Sequence, residues 1–269
     1  MNSTIRHLLS LLLLAGALRA ADLTGQLGLQ TWTLRHMNFD QAVAFAKQQG
    51  ITNLQVIGNH IDPNSPREEY LKKKAVLEAN GLRAYTFGVA GTSNDQAKNR
   101  KLFEFAKDMG ISLIIVEPGD FAILDQLEAL AKEFDIRVAI HNHGIRSLYG
   151  NPLVVRTLLM HRDPRMGVCM DAGWIASTGM KPAAVFKDYK GRVFDIHLKD
   201  KKVEKTQGDD VSMDTFIGEG QAQIADLLAE LKKTDWKGVL AIETDSDAFA
   251  RSPQEFVSKA KSYVAEHGK

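Results

Sequence analysis

Eight short β-like runs alternate with helical patterns from residue 21 to the end of the chain, and no Pro- or Gly-rich linker interrupts them. That regular alternation is the signature of a single α/β domain built on a parallel sheet. The strands are expected at Leu27–Leu34, Asn53–Ile57, Arg83–Phe87, Ser112–Glu117, Arg137–His143, Met166–Asp171, Val193–Lys199 and Gly238–Glu243. Most stay apolar until their last residues, as strands buried on both faces should. Helices are expected between them. Asn38 caps the first, which carries Phe39, Ala42, Val43 and Ala46 on one face and stops at Gly50. Others stop at Asn80-Gly81 and Gly110, and Pro152, Pro182 and Pro253 stand where a first-turn proline is tolerated.

Eight β/α units can close into a barrel or lie open as a doubly wound sheet. An open sheet gathers its ligands at one switch point, whereas here polar side chains end five successive strands, as the C-terminal rim of a barrel requires. A single (β/α)8 barrel is therefore expected over residues 21–269. The absence of a Gly-x-Gly-x-x-Gly after the first strand argues against a nucleotide site.

Residues 1–20 differ from the rest. Arg6 and His7 precede an apolar stretch from Leu8 to Ala17, and small residues follow at Ala20 and Ala21. This pattern predicts a secretory signal peptide and an exported, periplasmic or secreted protein. The stretch is short for a membrane span, with an uncleaved anchor as the alternative. Removal of the leader takes away Arg6 and Arg19 and no acid, so the net charge of +1 falls by two to −1. A near-neutral protein without a dense basic patch has no electrostatic means of holding nucleic acid or an anionic membrane. Oligomeric state is not readable. The single cysteine, Cys169, permits no internal disulfide and reads as a small buried strand residue.

The fourth run ends Glu117-Pro118-Gly119, the fifth His141-Asn142-His143-Gly144, the sixth Asp171-Ala172-Gly173-Trp174, the seventh His197-Leu198-Lys199-Asp200 and the eighth Glu243-Thr244-Asp245. Strand side chains alternate, so His141 shares a face with His143, and His197 with Lys199. Three carboxylates and two imidazoles converging on one mouth would repel one another without a cation. Glu117, His141, Asp171, His197 and Glu243 are accordingly expected to bind a divalent metal: Mn²⁺, Mg²⁺, Zn²⁺ or Co²⁺. His143 and Lys199 remain as candidate catalytic residues for proton transfer. Trp174 is expected as an apolar wall against a sugar, with Trp32, His60 and Arg35 lining the pocket from the early strands. Asp195 and Asp200 read as loop or capping residues.

At Met170-Asp171-Ala172-Gly173, His197-Leu198-Lys199-Asp200, Ile217-Gly218-Glu219-Gly220 and Ile242-Glu243 the sequence resembles the xylose isomerase-like TIM barrel superfamily of sugar isomerases, epimerases, inosose dehydratase-like proteins and endonuclease IV-type barrels. The resemblance covers essentially the whole mature chain. It implies that Asp171, His197 and Glu243 bind the metal. Here His141 takes the strand-five place usual for a Glu ligand, while Glu117 ends strand four, so Glu and His look exchanged between strands. Trp174 stands where many members have His.

A metal so held would stabilise the enediolate formed when a carbon-bound proton leaves. The expectation is a sugar isomerase or epimerase acting on an unphosphorylated sugar or keto-sugar, since phosphorylated sugars are mainly cytoplasmic. The alternatives are a lyase or hydratase of 3-keto-glycosides and a non-catalytic carbohydrate-binding barrel. Endonuclease chemistry lacks an Asp-x-His between Asp200 and Gly218.

Overall fold

The computed structural model describes residues 22–205 and 210–269, apart from the side chains of Lys205 and Asp210. The expected leader, residues 1–20, lies outside the described residues. The strands are β1 (Leu27–Gln30), β2 (Asn53–Val56), β3 (Arg83–Ala90), β4 (Leu113–Val116), β5 (Arg137–His141), β6 (Met166–Asp171), β7 (Val193–Leu198), β8 (Asp200–Lys205), β9 (Asp210–Thr215) and β10 (Val239–Ile242). All but β8 and β9 form one closed parallel barrel in the order β1-β10-β7-β6-β5-β4-β3-β2. The expected (β/α)8 barrel is the fold. Among the described residues no helix is long and apolar enough to cross a membrane.

The helices are α1 (Phe39–Gln49), α2 (Arg67–Ala79), α3 (Gln96–Met109), α4 (Ile123–Phe134), α5 (Pro152–Leu159), α6 (Ala172–Ser177), α7 (Pro182–Asp188), α8 (Ile224–Lys233), α9 (Asp247–Arg251) and α10 (Pro253–His267). Local chemistry sets their ends. Asn38 and Gln41 form a reciprocal capping box on α1, which stops where Gly50 takes φ 66°. Asp95 caps α3 through the backbone N–H groups of Ala97 and Lys98. The main core fills the layer between strands and outer helices. A small second cluster, Leu113, Ile115, Ala139 and Cys169 with Phe194 against it, plugs the barrel interior.

Period-two alternation then stacks polar residues on that plug. Moving up the inward faces, Ile115 is followed by Glu117, Ala139 by His141, Cys169 by Asp171, and Asp195 by His197. Asp195 therefore belongs to the barrel interior and is neither loop nor cap, a correction to the sequence expectation. Its Oδ1 accepts from the Tyr85 hydroxyl at 2.9 Å, and burial pushes its carboxyl up to about 7. Cys169 is fully buried beside it.

The hairpin β8–β9 was not expected. Its pairing runs antiparallel from Asp200↔Thr215 to Lys205↔Asp210. Asp200, which begins it, does serve as a cap. Its carboxylate accepts from the backbone N–H groups of Lys201 (2.9 Å), Gly218 (3.0 Å), Gly220 (2.9 Å) and Ala222 (2.9 Å). A Cβ on Gly220 would stand 2.2 Å from Asp200 Oδ1, so the Ile-Gly-Glu-Gly segment is shaped to close on this carboxylate.

Two outcomes are expected. Asp200→Ala strands the buried N–H groups this carboxylate satisfies and should destabilise the barrel by about 2–4 kcal/mol in urea denaturation. For Asp195, the folded carboxyl keeps its proton to about pH 7, whereas its ordinary pKa is 3.8. Its stabilising contribution is thus complete below the ordinary pKa and is lost as pH rises through that window. Asp195→Asn, which has no such proton, should gain stability relative to wild type between about pH 4 and pH 7, on the order of 1–3 kcal/mol. Thermal melts across that range check it.

Candidate metal centre

Four side-chain atoms from four strands meet at the C-terminal mouth of the barrel. His141 Nε2 lies 3.1 Å from His197 Nδ1 and 3.7 Å from Asp171 Oδ2. His197 Nδ1 lies 3.7 Å from Asp171 Oδ2 and 3.6 Å from Glu243 Oε2. All four residues are buried. Ligands bound at about 2.0–2.2 Å to one tetrahedral ion stand roughly 3.3–3.6 Å apart, so His141, Asp171 and His197 form a group able to hold a divalent cation, with Glu243 Oε2 beside His197 on the other side of the Lys199 ammonium. Asp171 Oδ2 and Glu243 Oε2 are buried, and the Lys199 ammonium, 3.1 Å and 2.5 Å away, is the cation that faces both. Two buried carboxyl oxygens that face imidazole nitrogens and share a single ammonium are what a metal ion would also satisfy.

Each ligand atom is oriented by the residues behind it. Asp171 caps α6, its Oδ1 accepting from Trp174 N at 2.8 Å, which leaves Oδ2 facing the centre. Asn142 clamps the Asp171 backbone: its Oδ1 accepts from Asp171 N at 3.0 Å and its Nδ2 donates to Asp171 O at 3.3 Å. Gln55 Nε2 donates to Gly88 O at 3.1 Å, so Gln55 Oε1 faces His197 Nε2 at 2.9 Å as an acceptor. That bond places the His197 proton on Nε2 and keeps Nδ1 free as a ligand. Gln55 was missed in the sequence, although it stands one residue before the end of β2.

The charges are strongly coupled. Against burial, the Lys199 ammonium and the two imidazoles hold Asp171 well below the usual carboxylate range. Burial opposes a charge on His141, but Asp171 and Glu117 outweigh it and raise the imidazole to about 9. Burial, aided by the His141 charge, lowers His197 to about 4. Burial pushes Glu243 up to about 8 against the pull of Lys199.

Glu117 belongs to a second group of ligand-type side chains, with His141 and His143. Its Oε2 contacts His143 Nδ1 and lies 3.5 Å from His141 Nδ1, the ring nitrogen turned away from the centre. It stands behind His141 as an outer carboxylate, because the His141 ring separates it from Asp171 and His197. Burial works against its charge, yet the two histidines hold it at about 2. The exchange of Glu and His between strands thus puts an imidazole nearest the centre and a carboxylate in support of it. His143 reaches the mouth with 41% of its side chain exposed.

Lys199 also departs from the proton-carrier expectation. Its side chain is 2% exposed and its Nζ contacts Asp171, Glu243 and Asp245. Burial resists the charge, but those carboxylates hold it as an ammonium.

The mouth opens into a cavity of about 300 Å³ lined by Trp32, Asn59, Val89, His143 and the centre itself. Trp32 is 39% exposed there, with the Arg35 guanidinium 4.9 Å from its ring centroid. Arg35 is tied to the carbonyls of Trp32, Thr244 and Asp245, so it braces the wall from behind. Trp174 stands behind His143, ring centroids 5.8 Å apart, under the Lys201 ammonium at 3.8 Å. It buttresses the imidazole and does not line this cavity. His60 is a correction: buried, its Nε2 lies 3.0 Å from Met37 O, and the adjacent Asn59 lines the mouth in its place. The turn after β2 carries the His60 ring into the packing beneath α1, where burial lowers its pKa.

Comparison with known proteins agrees with this architecture. The inosose dehydratase of Clostridium perfringens (strain 13 / Type A) is 24% identical over 251 residues, covering 78% of this chain and 84% of the relative. The crystal structure of an uncharacterized protein from Parabacteroides distasonis ATCC 8503 superposes with a TM-score of 0.69 and 25% identity, covering 90% of this chain and 98% of that one. The zinc-bound IOLI protein superposes with a TM-score of 0.69 at 14% identity, over 90% and 98% of the two chains. The family model for the xylose isomerase-like TIM barrel matches residues 43–264, and the chain belongs to that family.

Proposed function

We propose that this barrel is a divalent-metal-dependent enzyme that removes a carbon-bound proton beside the carbonyl of an unphosphorylated keto-sugar derivative and completes a β-elimination. The observation that carries the proposal is the gathering of His141 Nε2, Asp171 Oδ2 and His197 Nδ1, with Glu243 Oε2 beside His197, all of them buried. Two imidazoles with two carboxylates form a donor set of intermediate softness, which favours Zn²⁺, Mn²⁺ or Co²⁺ over Mg²⁺. When bound, the ion would supply Lewis-acid stabilisation of negative charge developing on the substrate oxygen. The zinc carried by the IOLI protein, which shares the fold, supports a metal here.

The chain's own residues supply the proton chemistry. His143 is the exposed imidazole at the mouth, and Glu117 behind its Nδ1 holds that nitrogen protonated and leaves Nε2 to take a proton from carbon. Trp174 fixes the ring from the other side. Trp32 offers an exposed indole face on which a sugar ring can lie, with its other contacts taken up by Arg35. Loading the centre requires His141 to release the proton it shares with His197, so metal binding should release protons.

Proton removal is common to isomerisation, epimerisation and elimination. The elimination branch is supported by the relative named inosose dehydratase, since dehydration expels an oxygen β to the lost proton. Export, expected from the sequence pattern of residues 1–20, would fit such a substrate, because free and glycosidic keto-sugars are met outside the cytoplasm.

The protein loaded with Mn²⁺ or Zn²⁺ and incubated in D₂O with 3-keto-glycosides and free keto-sugars should release the β-substituent and form an enone, seen by NMR and ultraviolet absorbance. Deuterium incorporation with no expelled group would assign isomerase or epimerase activity, and no exchange with any keto-sugar would overturn the proposal. Alanine at Asp171, His197 or Glu243 should lower metal occupancy and turnover together. His143→Ala should keep the metal while kcat falls by roughly 10²–10⁴-fold. Metal loss in His143→Ala alongside full occupancy in His141→Ala would reverse the two assignments.

A further inference from the structure

Lys199 is threaded into the centre rather than laid beside it. Its stem leaves the end of β7 and crosses Gly173, where a Cβ would stand 2.7 Å from Lys199 Cγ and 3.1 Å from its Cδ. The glycine two residues after Asp171 therefore makes the channel through which the lysine reaches inward. At its end Nζ stands 2.5 Å from Glu243 Oε2 and 3.1 Å from Asp171 Oδ2. Those are the two oxygens that also face the imidazole nitrogens of His141 and His197.

One pair of oxygens cannot serve two cations at full strength. An ion bonded to both would meet the ammonium at close range, and like charges in a poorly solvated pocket repel strongly. A third oxygen is available on the solvent side. Asp245 Oδ2 accepts a hydrogen bond from Nζ at 2.7 Å, and its side chain is 34% exposed. Asp245 is itself anchored, its backbone N–H donating to Asp214 Oδ2 at 2.6 Å and its carbonyl accepting from Arg35 at 2.9 Å. An ammonium that leaves Asp171 and Glu243 therefore keeps a carboxylate partner within reach of the same stem.

We propose that Lys199 is an internal counter-cation that occupies Asp171 and Glu243 in the metal-free protein and shifts onto Asp245 when metal binds, so that the lysine sets metal affinity and Asp245 is its receiving site. The proposal rests on the metal centre described above. It makes Lys199 a positioning residue, since it acts through ligands that the metal uses.

The test is calorimetric titration of the metal-stripped full-length protein with Mn²⁺ and with Zn²⁺, alongside thermal melts in EDTA. Lys199→Met should bind metal at least about tenfold more tightly than wild type, while its metal-free form melts at a lower temperature. Asp245→Asn should bind more weakly, and that penalty should shrink in the Lys199→Met background, because no displaced ammonium then needs a partner. A merely structural lysine would lower stability without raising affinity, so equal or weaker binding by Lys199→Met overturns the proposal even where wild type binds normally. Binding by Lys199→Met and none by wild type would support it, whereas no binding by either would overturn the metal centre and this proposal together. Lys199→Gln, which keeps hydrogen-bond donors without the charge, carries the comparison if the methionine variant does not fold.

Discussion

Asp171 and Glu243 each bring a carboxyl oxygen out of water to the mouth of the barrel, where the Lys199 ammonium stands against both. Each such oxygen costs several kcal/mol unless a positive charge lies within contact distance. Much of the surrounding structure follows from that constraint. Lys199 is drawn through the gap at Gly173, His141 carries a proton between two carboxylates, and His197 is kept neutral beside it. Asn142 and Gln55 hold the geometry from behind, and Gly88 supplies the carbonyl that orients Gln55.

Barrel architecture makes such a cluster possible. Strands with a period of two raise every second side chain into the interior, so an apolar plug of Leu113, Ile115, Ala139 and Cys169 can lie directly beneath a layer of ionisable groups. The plug excludes water from below, which strengthens every charge interaction above it. Outside the mouth, Trp32 and His143 present an aromatic face and a base to the same cavity. A floor of fixed charge under an aromatic rim suits a polar ring that must be held while one of its C–H bonds is broken.

The fold was legible because both its signals are local. Apolar runs ending in polar residues mark parallel strands, and Asn38, Gly50 and Pro152 mark helix ends whatever the partner elements are. Alternation likewise predicted that Asp171, His197 and Glu243 face one mouth. It does not say how far a side chain reaches or which neighbour shields it, so it could not show that Glu117 would stand on the far side of the His141 ring, grouped with His143. Lys199 shares a face with His197 as expected, but only the Gly173 gap shows that its ammonium turns inward. His60 lies in a turn, where period-two reasoning has no force. The β8–β9 hairpin escaped because its Lys-Lys-Val-Glu-Lys strand carries little apolar pattern, and Asp200, which begins it, was legible as a cap but not by its partners.

Anomalous diffraction from a crystal grown with Zn²⁺ or Mn²⁺, recorded on both sides of the metal's absorption edge, tests the central claim most directly. The account predicts one ion bound by His141 Nε2, Asp171 Oδ2, His197 Nδ1 and Glu243 Oε2, with Glu117 outside its ligand set and behind His141. An ion held by Glu117 and His143 with the other four side chains unengaged, or no ion in the barrel at saturating metal, would contradict it.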